Sequence, residues 1–206
     1  MKNKKMSIVH ISDTHNYHRE LQNDLPAADM IIHSGDVSMY GEPKEVDDFA
    51  KWFIGLDYKY KIFIAGNHDY CLYDQKAKAI QSHLPANCYY LYNSGVKING
   101  INFWGEPFFM EDEIDNRFLK TKKRIPVDTD ILISHRPPYG ILDTSFKSFG
   151  CPDLLLAVLR IAPRYHLFGH VHDAYGIDKA QATTFINAAL TNEKYELVNK
   201  PILIKA

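Results

Sequence analysis

Five short polar tips, each following an apolar run that reads as a β-strand, constrain this chain more than any other feature. They are Asp13-Thr14-His15, Gly35-Asp36, Gly66-Asn67-His68-Asp69, Ser134-His135 and Gly169-His170-Val171-His172. The runs before them are Ser7–Ile11, Met30–Ile32, Ile62–Ala65, Ile131–Ile133 and Leu167-Phe168. In open α/β sheets, ligands sit just beyond the carboxyl ends of the strands. Five such tips can therefore converge on one place, and their carboxylate, amide and imidazole groups are donors for divalent metals.

The 206 residues fit a single domain over 1–206, long enough to bury roughly 70–75% of the unfolded chain's surface. A net charge of −1 supplies no basic field, which argues against an extended nucleic-acid surface. Cys71, Cys88 and Cys151 are odd in number, far apart and in no CxxC pair, as expected of a reduced intracellular protein. The basic Met1–Lys5 stretch runs almost at once into the first strand, leaving no room for a signal-peptide core, and no apolar run reaches about 18 residues. The expectation is a soluble, cytoplasmic protein with no membrane segment. Its oligomeric state is not legible.

Strand-like and helix-like segments alternate early, which predicts α/β layering. From Pro43, the residues Val46, Phe49, Ala50, Phe53 and Ile54 recur at the spacing of an amphipathic helix that Gly55 helps to end. A second helix is expected from Pro152 to Ala162, with Leu155, Val158, Leu159 and Ala162 as its apolar stripe, and a weaker one between Gln75 and Leu84. Tyr89–Tyr92, Val96–Ile98 and Ile101–Trp104 read as short strands, the last two joined by an Asn99-Gly100 hairpin turn. These predict a second, antiparallel set of strands, extended by Thr184–Ile186 and Pro201–Ile204. The architecture expected is two sheets packed together with helices outside. Glu111–Arg124 is charged and ambiguous, and its Lys120, Lys122, Lys123 and Arg124 read as a solvated face.

Side chains two apart on an extended segment point the same way. Asp13 with His15, and His170 with His172, thus form two clamps, while Asp36 can bridge two cations, Asn67 adds an amide oxygen and His135 an imidazole. This mixture suits Mn, Fe, Zn, Ni or Co better than Ca or Mg. Two such ions about 3.5–4 Å apart can turn a bridging water into hydroxide and clamp phosphoryl oxygens during phosphoester hydrolysis. His68 stands outside the cage in this reading, free to protonate a leaving oxygen or bind a phosphoryl oxygen. The adjacent Asp69 is expected to hold or tune that imidazole. His10, His18, His33, His83 and His166 fit no clamp and read as structural or solvated, with His18 and His33 nearest the site loops.

In this order the tips resemble the calcineurin-like metallophosphoesterase superfamily, whose pattern is D-x-H, G-D, G-N-H-[D/E], H and G-H-x-H. The likeness spans Asp13 to His172. It implies an α/β fold, a four-layer α/β/β/α sandwich of two mixed β-sheets flanked by helices. It also implies one metal held by Asp13, His15, Asp36 and His172, and a second by Asp36, Asn67, His135 and His170. His68 would be the catalytic histidine, with Asp69 its partner.

A narrower stretch, Ser134-His135-Arg136-Pro137-Pro138-Tyr139-Gly140-Ile141-Leu142-Asp143, is similar to the T-H-G-P-P-x-G-x-x-D segment of the small metallophosphoesterase-domain-containing branch. Gly150-Cys151, Tyr175-Gly176 and Thr184–Ala188 add to that likeness. The branch implies hydrolysis of phosphodiesters, including cyclic nucleotides. Some of its members carry glycine in place of the first histidine of G-H-x-H; here His170 is retained, so a full second metal site is expected.

Arg136 departs from the glycine usual in the branch. Its guanidinium can reach a phosphoryl oxygen, narrow the pocket, or simply turn outward with its loop. The expected substrate is a small phosphoester, a cyclic nucleotide or other diester, bound by Asn67, His68 and Arg136, with Tyr17 and the Pro137–Asp143 loop shaping its far end. A phosphomonoesterase or protein phosphatase uses the same metal core, and a non-catalytic interaction scaffold can use the same fold.

Overall fold

The computed structural model describes residues 5–73, 75–108 and 125–206. The strands are β1 (Ser7–Ile11), β2 (Met30–His33), β3 (Tyr60–Phe63), β4 (Cys88–Tyr90), β5 (Ser94–Ile98), β6 (Ile101–Glu106), β7 (Ile131–Ser134), β8 (Tyr165–Phe168), β9 (Gly176–Ala180), β10 (Thr183–Asn187) and β11 (Ile202–Lys205). The helices are α1 (Pro43–Gly55), α2 (Ala77–Ser82) and α3 (Pro152–Ile161). Strand order is β11-β1-β2-β3-β4 in a five-stranded sheet and β5-β6-β7-β8-β10-β9 in a six-stranded one. The ambiguous Glu111–Arg124 segment lies outside the described residues.

Alternation along the strands makes the layers. Ile8, Ile32, Ile62, Ile131, Ile133 and Leu167 face the other sheet and form the central core. Their neighbours Val9, Ile31 and Phe63 turn outward onto Phe49, Trp52 and Phe53 of α1, and Leu132 and Phe168 onto Leu154, Val158 and Ile161 of α3. Strands apolar on both faces are what a sheet covered on both sides requires. The result is the four-layer order expected, helix, sheet, sheet, helix.

Three details differ from the sequence expectation. The tyrosine-rich strand, β4, pairs in parallel with β3 in the first sheet, Phe63 opposite Tyr90. The C-terminal β11 also joins the first sheet, antiparallel to β1. It occupies an edge, burying Ile202 and Ile204 and leaving Leu203 46% exposed, a one-sided pattern that no interior strand shows. The second sheet is mixed, as the resemblance implies, and not the antiparallel set read from its strands alone: the Asn99-Gly100 hairpin pairs β5 with β6 as expected, but β6, β7, β8 and β10 run parallel.

The apolar face of α3 is rotated by about one position from the predicted stripe, in keeping with a helical period of ~3.6 residues. Leu154, Ala157, Val158 and Ile161 are buried, while Leu159 is exposed. The run Leu154-Leu155-Leu156 allows either stripe. Rotation is fixed by the start of the helix, where Cys151 Sγ accepts from Leu154 N–H at 3.4 Å and Pro152 opens the first turn.

Two buried histidines lie between the layers and the site end. His10 Nε2 pairs with Ser34 Oγ at 2.9 Å and His166 Nε2 with Ser134 Oγ at 2.8 Å. Burial pushes both imidazoles down to about 3, while in the unfolded chain they titrate near ~6.5. Between those values the unfolded chain binds the protons first. The contribution of these two histidines to stability is therefore complete above about pH 6.5 and falls as pH drops, by up to about 1.4 kcal/mol per pH unit for each. Urea unfolding of metal-stripped protein between pH 7 and 5 should show this slope, and His166→Phe should reduce it by one proton's worth; an unchanged slope in the variant would contradict the assignment.

Candidate active site

All five tips leave the carboxyl ends of β1, β2, β3, β7 and β8, and backbone bonds tie them together. Asp13 N–H donates to Gly35 O (3.0 Å), and Gly169 N–H to His135 O (3.1 Å). Leu190 N–H donates to Ser12 O (3.0 Å), linking the two sheets at this end. The tips turn sharply, with Asp13, His15, Asp36 and His170 at positive φ of 54°, 41°, 57° and 69°. Asp and His tolerate this region better than most non-glycine residues.

The predicted donors meet. His135 Nε2 lies 3.3 Å from Asp36 Oδ2 and 3.1 Å from Asn67 Oδ1. His172 Nε2 lies 3.4 Å from Asp13 Oδ1 and 3.4 Å from His15 Nε2, and His15 Nε2 lies 3.8 Å from Asp36 Oδ2. His170 packs its ring against His135 at 5.2 Å, and its backbone N–H donates to both Asp13 carboxylate oxygens. Among the described residues, three sets of His, Asp or Glu have ligand atoms within 4.8 Å of one another: Asp13, His15 and His172; Asp13, Asp36 and His135; and His15, Asp36 and His68. His68 thus stands closer to the cage than its sequence position implied.

These residues fit a metal centre on two counts. Each of three imidazoles directs Nδ1 at a backbone carbonyl: His15 at Ser38 O (3.2 Å), His135 at Ser34 O (2.9 Å) and His172 at Asn192 O (2.9 Å). That anchoring sets the tautomer in which Nε2 is a free ligand. Glycines also make room for the carboxylates: a Cβ on Gly66 would lie 2.2 Å from Asp36 Oδ1, and one on Gly169 2.0 Å from Asp13 Oδ2.

The electrostatics agree. Burial opposes charge on His135 and His172, but the Asp36 and Asp13 carboxylates overcome it and raise both imidazoles to about 9. His170, by contrast, is pushed down to about 3 by burial and by His135. The paired carboxylates make this a cation-attracting place.

Asp69 does something other than hold His68. Its buried carboxylate accepts from Gly66 N–H (2.8 Å), Asp36 N–H (3.0 Å), Val37 N–H (3.3 Å), Ser38 N–H (3.0 Å) and Ser38 Oγ (2.7 Å). It braces the loop that carries Asp36. Burial and the Asp36 charge push it up to about 6 against those donors. His68 Nδ1 is paired instead with Met39 O at 2.8 Å, and its backbone N–H donates to Asp36 Oδ1 at 2.8 Å. His33 also proves structural, bonded to Thr14 Oγ1 at 3.0 Å and to Gly35 N–H at 3.2 Å, beneath the first two tips.

A cavity of about 160 Å³ opens on the centre, lined by Asp36, Asn67, His68, His170 and His172 together with Phe149, Val171, Glu193 and Tyr195. Sequence reading missed Phe149, Glu193 and Tyr195. No motif marks them, and they arrive from loops distant in sequence. Among the described residues, Arg136, Tyr17 and Pro137–Asp143 do not line this cavity. Arg136 Nε donates to Phe149 O at 2.7 Å and its guanidinium lies 5.1 Å over the Phe108 ring. Both rings pack on His170, at 6.0 and 5.4 Å, so Arg136 stands behind the wall of the cavity.

Comparison with known proteins agrees with this geometry. Residues 6–174 match the family model described as calcineurin-like phosphoesterase. Metallophosphoesterase domain-containing protein 1 of Homo sapiens is 36% identical, over 95% of this chain and 69% of that protein. UPF0046 protein K07C11.7 of Caenorhabditis elegans is 34% identical, over 96% and 74%. One solved structure superposes with a TM-score of 0.62 at 14% identity, covering 98% of this chain and 99% of that one. GAP50, titled the anchor in the inner membrane complex of Plasmodium, superposes at 0.52 and 12% identity over 91% and 72%. These two likenesses bear on the fold alone. Among the described residues no helix is long and apolar enough to cross a membrane.

Removing the charge of Asp69 should loosen the Asp36 loop. Asp69→Asn is expected to weaken divalent-metal binding by about 10–100-fold, as loss of a partner behind a ligand typically does. Titration calorimetry with Mn or Zn on stripped protein checks this; unchanged affinity would show that the brace does not serve the centre.

Proposed function

Because the chain belongs to the calcineurin-like phosphoesterase family, we propose that it is a two-metal phosphodiesterase acting on small phosphodiesters, cyclic nucleotides among them. The observation that carries this reading is His68 beside Asp36 and His15, on the wall of the same cavity as the donor cage. Asp13, His15, Asp36 and His172 would hold one divalent ion, and Asp36, Asn67, His135 and His170 the other, drawn from Mn, Fe, Zn, Ni or Co. When bound, such ions supply the Lewis acidity that activates water and offsets charge on phosphoryl oxygens.

The chain's own groups do the rest. Asp69 keeps Asp36 in place through the backbone of its loop. The Met39 carbonyl accepts Nδ1–H of His68, which leaves Nε2 facing the cavity; in the imidazolium form, Nε2–H is the proton that passes to the leaving oxygen, leaving the neutral ring, or that binds a phosphoryl oxygen. Asn67 is positioned to contact the substrate as well as the cage. Phe149 and Tyr195 narrow the approach, and Arg136 fixes Phe149 in that wall. The carboxylate of Glu193 on the cavity lining favours a singly charged diester over a doubly charged monoester, which it would repel more strongly.

The test uses stripped protein reloaded with Mn, Ni, Co, Zn or Fe and assayed on a bis-aryl phosphodiester, an aryl phosphomonoester, and 2′,3′- and 3′,5′-cyclic nucleotides. Diester turnover should exceed monoester turnover, and His68→Ala should lower kcat by about 10²–10⁴-fold. Strong monoester turnover with negligible diester turnover would replace this reading with a phosphomonoesterase or protein phosphatase. No turnover on any ester with full metal occupancy would leave a non-catalytic role for the fold.

A further inference from the structure

Tyr195 sits at φ 58°, where a bulky aromatic residue is an outlier. Such a conformation persists only when its surroundings over-determine it. Here they are a turn organised on Asn192. Its N–H donates to Glu196 O (3.0 Å), its Oδ1 accepts from Lys194 N–H (2.9 Å) and Glu196 N–H (3.0 Å), and its Nδ2 donates to Glu196 Oε2 (2.8 Å). Its carbonyl accepts both Tyr195 N–H (2.8 Å) and His172 Nδ1 (2.9 Å). One carbonyl oxygen therefore fixes Tyr195 relative to a histidine of the donor cage.

The strained residue is aimed at the site. Its ring stands edge-on to His15 at 4.8 Å, to His172 at 5.6 Å and to His68 at 6.0 Å. It lines the cavity and is half-buried. Among the described residues, its hydroxyl makes no hydrogen bond to the protein, whereas the comparable hydroxyl of Tyr175 is paired with Lys200 O. A tyrosine hydroxyl keeps its proton at neutral pH, so it is a donor. A donor carried on the cavity lining in a costly backbone conformation, with no protein acceptor among the described residues, has a ligand as its natural partner.

We propose that Tyr195 is a substrate-binding residue whose hydroxyl donates a hydrogen bond to a non-reacting oxygen of the phosphoryl group. The proposal rests on the phosphoesterase reading of the same cavity. Its test compares wild type with Tyr195→Phe, both Mn-loaded, using inorganic phosphate in titration calorimetry and a bis-aryl phosphodiester in steady-state kinetics. Loss of one hydrogen bond to a charged group should weaken phosphate binding and kcat/KM by about tenfold, with metal content and melting temperature unchanged. Tyr195→Asn, which accepts the left-handed backbone more readily, should lose the same affinity yet melt no lower than wild type. Equal phosphate affinity and equal kcat/KM in Tyr195→Phe would overturn the proposal, as would a loss explained by lost metal. If wild type binds phosphate but hydrolyses no ester, the phosphodiesterase reading falls, and the phosphate titration alone then decides the role of Tyr195.

Discussion

The buried carboxylate of Asp69 is the contact on which the site depends. Three successive backbone N–H groups, from Asp36, Val37 and Ser38, converge on it, with a fourth from Gly66. A chain that turns so tightly leaves its amides without partners in a strand or helix, and the Asp69 carboxylate accepts them together. With that knot in place, Asp36 is held in the left-handed region facing His135, the Ser38 carbonyl is placed to receive His15, and the Met39 carbonyl to receive His68. Geometry that looks like a property of the ligands is set one layer behind them.

The same layering sorts the histidines. Those whose Nδ1 meets a main-chain carbonyl present Nε2 to the centre; those bonded to Ser34, Ser134 or Thr14 hydroxyls lie behind it. Electrostatic fates differ: His135 and His172, beside Asp36 and Asp13, are drawn toward the charged form, burial outweighs the same carboxylates at His15 and lowers it to about 4, and His10 and His166 are kept neutral. The chain thus builds a charged centre without leaving stray charge in its core.

Much of this was readable in the sequence, for a definite reason. The alternation of apolar runs with Asp-x-His, Gly-Asp and Gly-His-x-His tips encodes both which segments are strands and which strand ends meet. The four layers and the gathering of Asp13, His15, Asp36, Asn67, His135, His170 and His172 follow from local pattern. What was not readable depends on long-range choice. Nothing in Tyr89–Tyr92 or Ile202–Lys205 says which sheet has a vacant edge. Three leucines in a row leave the rotation of α3 open until Cys151 caps it. Adjacency to His68 suggests that Asp69 holds that ring, whereas its partners are the nearby Gly66 amide and the amides at 36–38, some thirty residues earlier. Phe149 and Tyr195 carry no pattern, since a cavity wall is defined only once distant loops are side by side.

The pairing of β1 with β11 places Ser7 opposite Lys205, and the Thr191 hydroxyl donates to the backbone of Asp13 at 3.0 Å. An early strand of the described residues is therefore flanked on one side by a strand nearly two hundred residues later. Contacts of such high separation in sequence are closed late and at an entropic cost. A ribosome-bound chain that has already emitted Asp13, His15 and Asp36 still lacks His172, the Asn192 carbonyl that orients it, and the strand that covers the open edge of β1. The donor cluster is complete only once the whole stretch from Asp13 to Asn192 is in place, and an edge of β1 without β11 would offer a row of unpaired backbone groups to other chains.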